Sequence, residues 1–271
     1  MGGGMRVGLG LLVVLLVMAL VLPLFWRVSP TAVDLSHALA PPSPAHPMGT
    51  DGNGRDVLAR FNAGARVSLL IGLIVAVVGA IIGGTIGIIG GIRGGAVDAV
   101  LMRGMDAILA FPPLVLAMAV TVGLGPGAVT ATWGIVLISI PWYARIVRSE
   151  VLRIRSQQFV YAAVTMGASP VRVVRRHILP HLVPTVLTQA AGVFSYGILA
   201  MAGLGFLGLG VQVPTADWGS MITEGLEYAL GGQWWISTFP GLGVLAVTAA
   251  AAIIADSGRE AFSRPGERAG G

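Results

Sequence analysis

Gln157-Gln158-Phe159-Val160-Tyr161-Ala162-Ala163-Val164-Thr165-Met166-Gly167-Ala168-Ser169-Pro170-Val171-Arg172 runs on through Val173-Val174-Arg175-Arg176-His177-Ile178-Leu179-Pro180. This polar, Arg-bearing stretch separates two long apolar runs and reads as two short helices meeting at a glycine. Gly167 suits the left-handed backbone that ends a helix. Ser169 and Pro170 then supply an N-cap and a first helical residue for the next one. A helix–Gly–helix hairpin at a membrane surface offers a second molecule something to grip.

Composition puts the hairpin in a membrane protein. Hydrophobic residues make up 55% of the 271 and charged ones 11%, outside the usual range of soluble domains. All 17 basic residues are Arg. Without Lys the chain cannot carry a Walker A phosphate loop. Without Cys it has no disulfide frame, thiol nucleophile or Cys-based metal site. The net charge of +5 is better explained by loop orientation than by nucleic acid, because no aromatic-interleaved basic face accompanies it.

A bilayer core takes about 20 apolar residues per helix, and six such runs are expected: Val7–Phe25, Val67–Ile92, Ala107–Leu124, Ala128–Tyr143, Leu182–Leu209 and Phe239–Ala255. The first exceeds a signal-peptide core in length, which favours an uncleaved anchor over a cleaved leader despite the small residues Ala38-Leu39-Ala40. Between Arg27 and Arg66 lies a polar, Pro-rich loop expected to be ordered and outside the membrane. In the second run Gly79, Gly83, Gly87, Gly91 and Gly95 recur every four residues, a smooth stripe for close helix packing. Pro141 is expected to kink or end the fourth run. The stretch 211–238 reads as a loop with Asp217, Glu224 and Glu227. The organisation is therefore an anchor and external loop over 1–66, a five-helix core over 67–255 holding the loop 144–181, and a polar tail over 256–271.

Six spans put both termini on one side. With that side inside, thirteen Arg lie inside and four outside (Arg27, Arg55, Arg60 and Arg66). Seven of the thirteen flank or occupy the hairpin, so the positive-inside rule places it in the cytoplasm.

No span has a charge near its middle, which disfavours an ion-coupled carrier. No G-x-S-x-G elbow is present to support an intramembrane hydrolase. His37 and His46 sit in the Pro-rich loop and read as solvated rather than as metal ligands. In the second half of the hairpin Arg172, Arg175 and Arg176 are expected opposite Val171, Val174 and Ile178. That face suits an interfacial helix on anionic headgroups or a docking helix in a partner's groove, and composition leaves both open.

Several stretches in the expected order resemble bacterial ABC-importer permeases of the dipeptide/oligopeptide/nickel group. Tyr161-Ala162-Ala163 followed by Gly167-Ala168-Ser169-Pro170 and Arg176-His177-Ile178-Leu179-Pro180 resembles their "EAA" loop. Thr50-Asp51, Gly54-Arg55-Asp56 and Gly64-Ala65-Arg66 resemble the segment before the second span, and Phe206-Leu207-Gly208-Leu209-Gly210 the motif after the fifth. One position departs from the pattern: Tyr161 stands where the family has Glu, and Val164 where it often has Arg. The lost i, i+3 ion pair would contribute only about 0.2–0.5 kcal/mol, so the hairpin can fold without it.

The resemblance implies an all-α membrane fold of type I with six spans and the C-type role in a permease pair. It implies a cytoplasmic-membrane protein that pairs with a homologous permease, two ABC ATPases and an external binding protein. ATP and Mg would reside on the ATPases, leaving this chain with no cofactor and no catalysis of its own. Peptide cargo fits the resemblance, and a nickel chelate or another small solute remains an alternative. A membrane scaffold using the same hairpin to hold a cytoplasmic partner is the alternative of another class.

Overall fold

The computed structural model describes residues 3–263, which fold into ten α-helices. They are α1 Gly3–Phe25, α2 Val57–Arg93, α3 Gly95–Leu109, α4 Pro113–Leu124, α5 Ala128–Arg155, α6 Gln158–Thr165, α7 Pro170–Val173, α8 Leu179–Phe206, α9 Trp218–Ala229 and α10 Trp235–Ser263. Among the described residues the β structure is limited to a single bridge between Thr50 and Asp56. The expected all-α architecture is therefore present. The far end of the expected tail, with Arg264 and Arg268, lies outside the described residues.

The long helix α2 is the spine. Asp56 caps it by accepting the Ala59 N–H at 2.8 Å. Its 37 residues rise about 55 Å, well beyond a hydrocarbon core of about 30 Å. The spine is therefore longer than one crossing needs, and the expected boundary at residues 66/67 falls inside it. Its main neighbour is α5, followed by α8, and α1 packs along α10.

Four of the five glycines at the four-residue spacing face α5. A Cβ at Gly87 would come within 2.5 Å of the Ala144 carbonyl oxygen and one at Gly91 within 2.7 Å of Val151 Cγ1. At Gly79 and Gly83 the obstacles would be Ser139 and the Ile140 carbonyl. All four touch α5, so the seam is the α2–α5 contact. Gly95 is not part of it: α2 ends at Gly94, and Gly95 opens α3 with φ +55° and no neighbour near its Cα hydrogen.

Three expectations for the spans need correction. The run Ala107–Leu124 is not one rod, because α3 and α4 meet at an 87° bend around Phe111-Pro112-Pro113. Pro113 opens α4, where its missing N–H costs least, and the residue before each proline avoids the α region. The stretch before it, where Arg93, Asp98, Arg103 and Asp106 suggest a short loop between two runs, is largely the helix α3. Pro141 neither ends α5 nor shortens it: the helix runs on through Arg155.

Among the described residues four helices are each long and apolar enough to cross a membrane, five if the bent pair counts as one span. The remaining long helix, α5, has an apolar first half and an Arg-rich second half. The 211–238 segment also gains a helix, α9, capped by Asp217 through the N–H groups of Gly219 and Ser220.

Candidate functional site

The hairpin closes as its residue types require. Helix α6 ends in a Schellman motif: Ala168 N–H donates to the Ala163 carbonyl at 3.0 Å, and Gly167 N–H to Val164 at 2.9 Å. Gly167 sits between them at φ +83°, a backbone that a β-branched side chain resists. Ser169 Oγ then accepts the Arg172 N–H at 3.4 Å, and Pro170 opens α7.

Downstream, Val174–Ile178 forms a π turn rather than a normal α turn. Pro180, two residues later, cannot donate to the Arg176 carbonyl and would crowd it in an α-helix. Widening the turn relieves that conflict and swings Leu179 N–H onto Val174. The rotation changes the buried face. Val173 and Ile178 point inward, while Val171, expected on the apolar face, is 76% exposed.

The inward residues form a small apolar root. Val160 of α6, Val173 of α7, Ile178 and Leu182 pack against Val147, Val151 and Ile154 of α5, with Ile88 and Ile92 of α2 alongside. Ala163 is buried as well, whereas Ala162 faces outward. Phe159 lies 5.4 Å from the His181 ring and 6.0 Å from His177, tying α6 to the start of α8.

The outward face combines apolar and cationic groups. Tyr161 is 75% and Met166 81% exposed, beside exposed Val164 and Val171. Arg172, Arg175 and Arg176 are exposed and have no ion-pair partner among the described residues. An apolar centre rimmed by unpaired Arg has the chemistry of a protein-docking surface.

A set of Arg contacts ties the root to the rest of the bundle. Arg148 of α5 grips Asp98 of α3 through Nε and Nη2, both on the carboxylate. Arg145 Nη2 reaches Asp106 Oδ1 at 2.6 Å. Arg155 Nη1 donates to the Ile92 carbonyl at 3.0 Å, satisfying an orphan group at the end of α2. The sequence shows these charges but not their pairing, which spans 39 to 63 residues.

At the far end of α2 stands a second cluster. Asp51 Oδ2 accepts Arg55 Nε at 2.7 Å and Arg60 Nε at 3.3 Å. Both guanidiniums also donate Nη2 to Glu224 Oε2, at 2.9 and 2.8 Å. Asp51, Arg55, Asp56 and Arg60 are all buried. Gly54 turns the chain here at φ +70°, and a Cβ would run into the Asp34 carbonyl.

His46 is not a free surface group, because its Nδ1 bonds the buried Asp56 at 2.8 Å. His37 bonds Asp34 instead, whose carboxyl is held down to about 2, chiefly by the Ser36 hydroxyl and then by His37. Burial pushes the Asp217 carboxyl above the ordinary range, against the bonds from Ser220 and Gly219 that favour its charge. A cleft of about 350 Å³ opens beside this knot, lined by Asp51, Arg55, Glu224, Glu227 and Tyr228 among others. Glu224, 164 residues from Arg60, gives no sign in the sequence of belonging to the Asp51–Asp56 motif.

The assembled picture has counterparts. Residues 83–264 match the family described as "Binding-protein-dependent transport system inner membrane component". The "Dipeptide transport system permease protein DppC" of Escherichia coli (strain K12) is 41% identical over 265 residues, 96% of this chain and 88% of that protein. The "Probable D,D-dipeptide transport system permease protein DdpC" of the same organism is 39% identical over 235 residues, covering 87% and 78%. A "Putative peptide transport system permease protein" of Brucella suis biovar 1 is 40% identical over 255 residues, covering 94% and 86%.

Among solved structures, an inward-facing form of the MetNI methionine ABC transporter superposes with a TM-score of 0.56 at 18% identity. The match covers 72% of this chain and 94% of that one, a likeness of fold. The chain belongs to the family of binding-protein-dependent transport system inner membrane components.

Proposed function

We propose that this chain is the transmembrane permease subunit of an ATP-driven peptide importer and transmits ATPase motion through its hairpin. The observation that carries the reading is the hairpin's two-sided construction. One side offers Tyr161, Met166, Val171 and three unpaired Arg to a partner. The other is rooted in α5, α2 and α8 through the Val147–Leu182 cluster. A partner that pushes on the first side necessarily moves the second. Alternating access needs such a rigid element joined to a bundle with two arrangements.

In this reading the partners are a homologous permease, two cytoplasmic ATPases carrying ATP and Mg, and an external binding protein. Both termini and the hairpin face the cytoplasm, as the Arg distribution favours. The apolar half of α5 supplies the sixth crossing. The cleft beside Asp51 and Glu227 then opens outward, where a binding protein would dock. Peptide cargo follows from the names of the relatives. Tyr161 takes the place of the family acid, so the ATPase contact at that position is aromatic rather than ionic.

The test is co-purification of the assembled transporter after Arg172, Arg175 and Arg176 are each changed to Glu. The ATPases should be lost while the permease pair stays together in the membrane. Retention of the ATPases with altered lipid association alone would contradict the docking role.

A further inference from the structure

Arg66 lies at the end of the bundle that carries the Pro-rich loop. Its Nε donates to the Ala19 carbonyl of α1 at 2.7 Å, so the guanidinium is level with the last turns of an apolar helix whose span ends at Leu22. No carboxylate pairs with it among the described residues, and neither Nη has a partner there. One turn earlier on α2 sits Asn62, 2% exposed, with neither amide atom bonded. Both residues line a notch of about 70 Å³ with Trp26, Pro30 and Ala63. The indole N–H of Trp26 is already spent on Asp56, so its ring serves only as a wall. The adjoining face of α1 is apolar and bare: Leu20, Leu24 and Phe25 are all exposed.

A cation without a carboxylate partner beside the end of an apolar span attracts an anion, and a buried amide with an empty donor and an empty acceptor needs both in return. A side chain in this position reaches toward the headgroup layer. We propose that the notch holds the headgroup of a membrane glycerophospholipid, with its phosphate on Arg66 and on Asn62 Nδ2. A hydroxyl or ammonium donor of the headgroup fills Asn62 Oδ1, and the acyl chains lie along Leu20, Leu24 and Phe25. The notch admits a phosphate and its nearest substituent rather than a whole headgroup. The lipid would bond both α1 and α2, and so fasten the anchor helix to the spine at a point where protein contacts leave a gap.

The experiment is native mass spectrometry of the complete transporter titrated with phosphatidylglycerol, with phosphatidylcholine and inorganic phosphate as parallel arms. Phosphatidylglycerol should be retained best. Arg66→Gln should weaken it about fivefold, the scale of one cation at an anionic surface. Asn62→Leu should narrow the preference over phosphatidylcholine, and Arg93→Gln at the opposite end of α2 should change nothing. Equal retention in wild type and Arg66→Gln would overturn the site, and so would binding of inorganic phosphate that displaces the lipid. If the variants fail to assemble, amide exchange in the wild-type transporter decides: residues 24–30 should exchange more slowly in phosphatidylglycerol than in phosphatidylcholine nanodiscs. No difference there would also overturn it.

Discussion

Asp98 of α3 receives Nε and Nη2 of Arg148 in one two-pronged contact, so the helix before the 87° bend is held by the second half of α5. Because α5 also roots the hairpin, force applied at Tyr161 has a short route to the bend at Phe111-Pro112. The route consists of packed helices and one fork-shaped ion pair.

Arg148→Lys should break the fork while keeping the charge, since an ammonium cannot make two parallel bonds to one carboxylate. Assembly and basal ATP hydrolysis should persist, and peptide uptake in proteoliposomes should fall several-fold. Asp98→Asn should behave alike. Unchanged uptake in both variants would remove this contact from the route.

The α2–α5 seam makes a sharper structural prediction. Ala at Gly83 or Gly87 would place a methyl group against the Ile140 or Ala144 carbonyl, an overpacking cost of about 1–3 kcal/mol. The same change at Gly84 meets nothing within 4 Å inside this chain. Thermal unfolding of the purified chain should show lower midpoints for the first two and little change for the third. Equal effects at all three positions would mean that the stripe reflects glycine abundance rather than contact.

Asp217 sets a pH dependence with a definite sign. Burial raises its carboxyl above the ordinary carboxylate range, so the folded chain still holds a proton at a pH where the unfolded chain has released it. The folded state is therefore favoured as pH falls through the raised value, and that contribution is lost as pH rises through it. Asp217→Asn keeps an oxygen to cap α9 and removes the titration. The wild-type gain in melting temperature as pH falls toward the ordinary carboxylate range should shrink in the variant, and an unchanged pH profile would contradict the assignment.

Local chemistry was legible in the sequence, and long-range geometry was not. Gly167, Ser169 and Pro170 announce the hairpin because each dictates its own backbone or bonds a residue three along. Four glycines at a spacing of four mark one helix face, but the fifth lies past the end of the helix, which periodicity cannot show. Hydropathy runs straight through the bend at Pro112, because two apolar halves sum to one apolar run. A regular α turn would put Val171 on the face of Ile178, but Pro180 imposes a π turn and Val171 is exposed. Asp51 and Arg55 were visible through resemblance, while Glu224, which completes their cluster, comes from 169 residues away.

The coupling claim rests most directly on Gly167, where a Cβ would meet no atom within 4 Å and only the backbone at φ +83° resists substitution. The decisive measurement is peptide uptake per ATP hydrolysed in proteoliposomes containing the complete transporter with Gly167→Val or Gly167→Asn. Val disfavours this backbone, whereas Asn tolerates it. The account predicts that the Val variant inserts into the membrane and loses coupled uptake by about tenfold, the scale of backbone strain at one residue, while Asn retains most of it. Wild-type uptake and coupled hydrolysis in an assembled Gly167→Val transporter would contradict it.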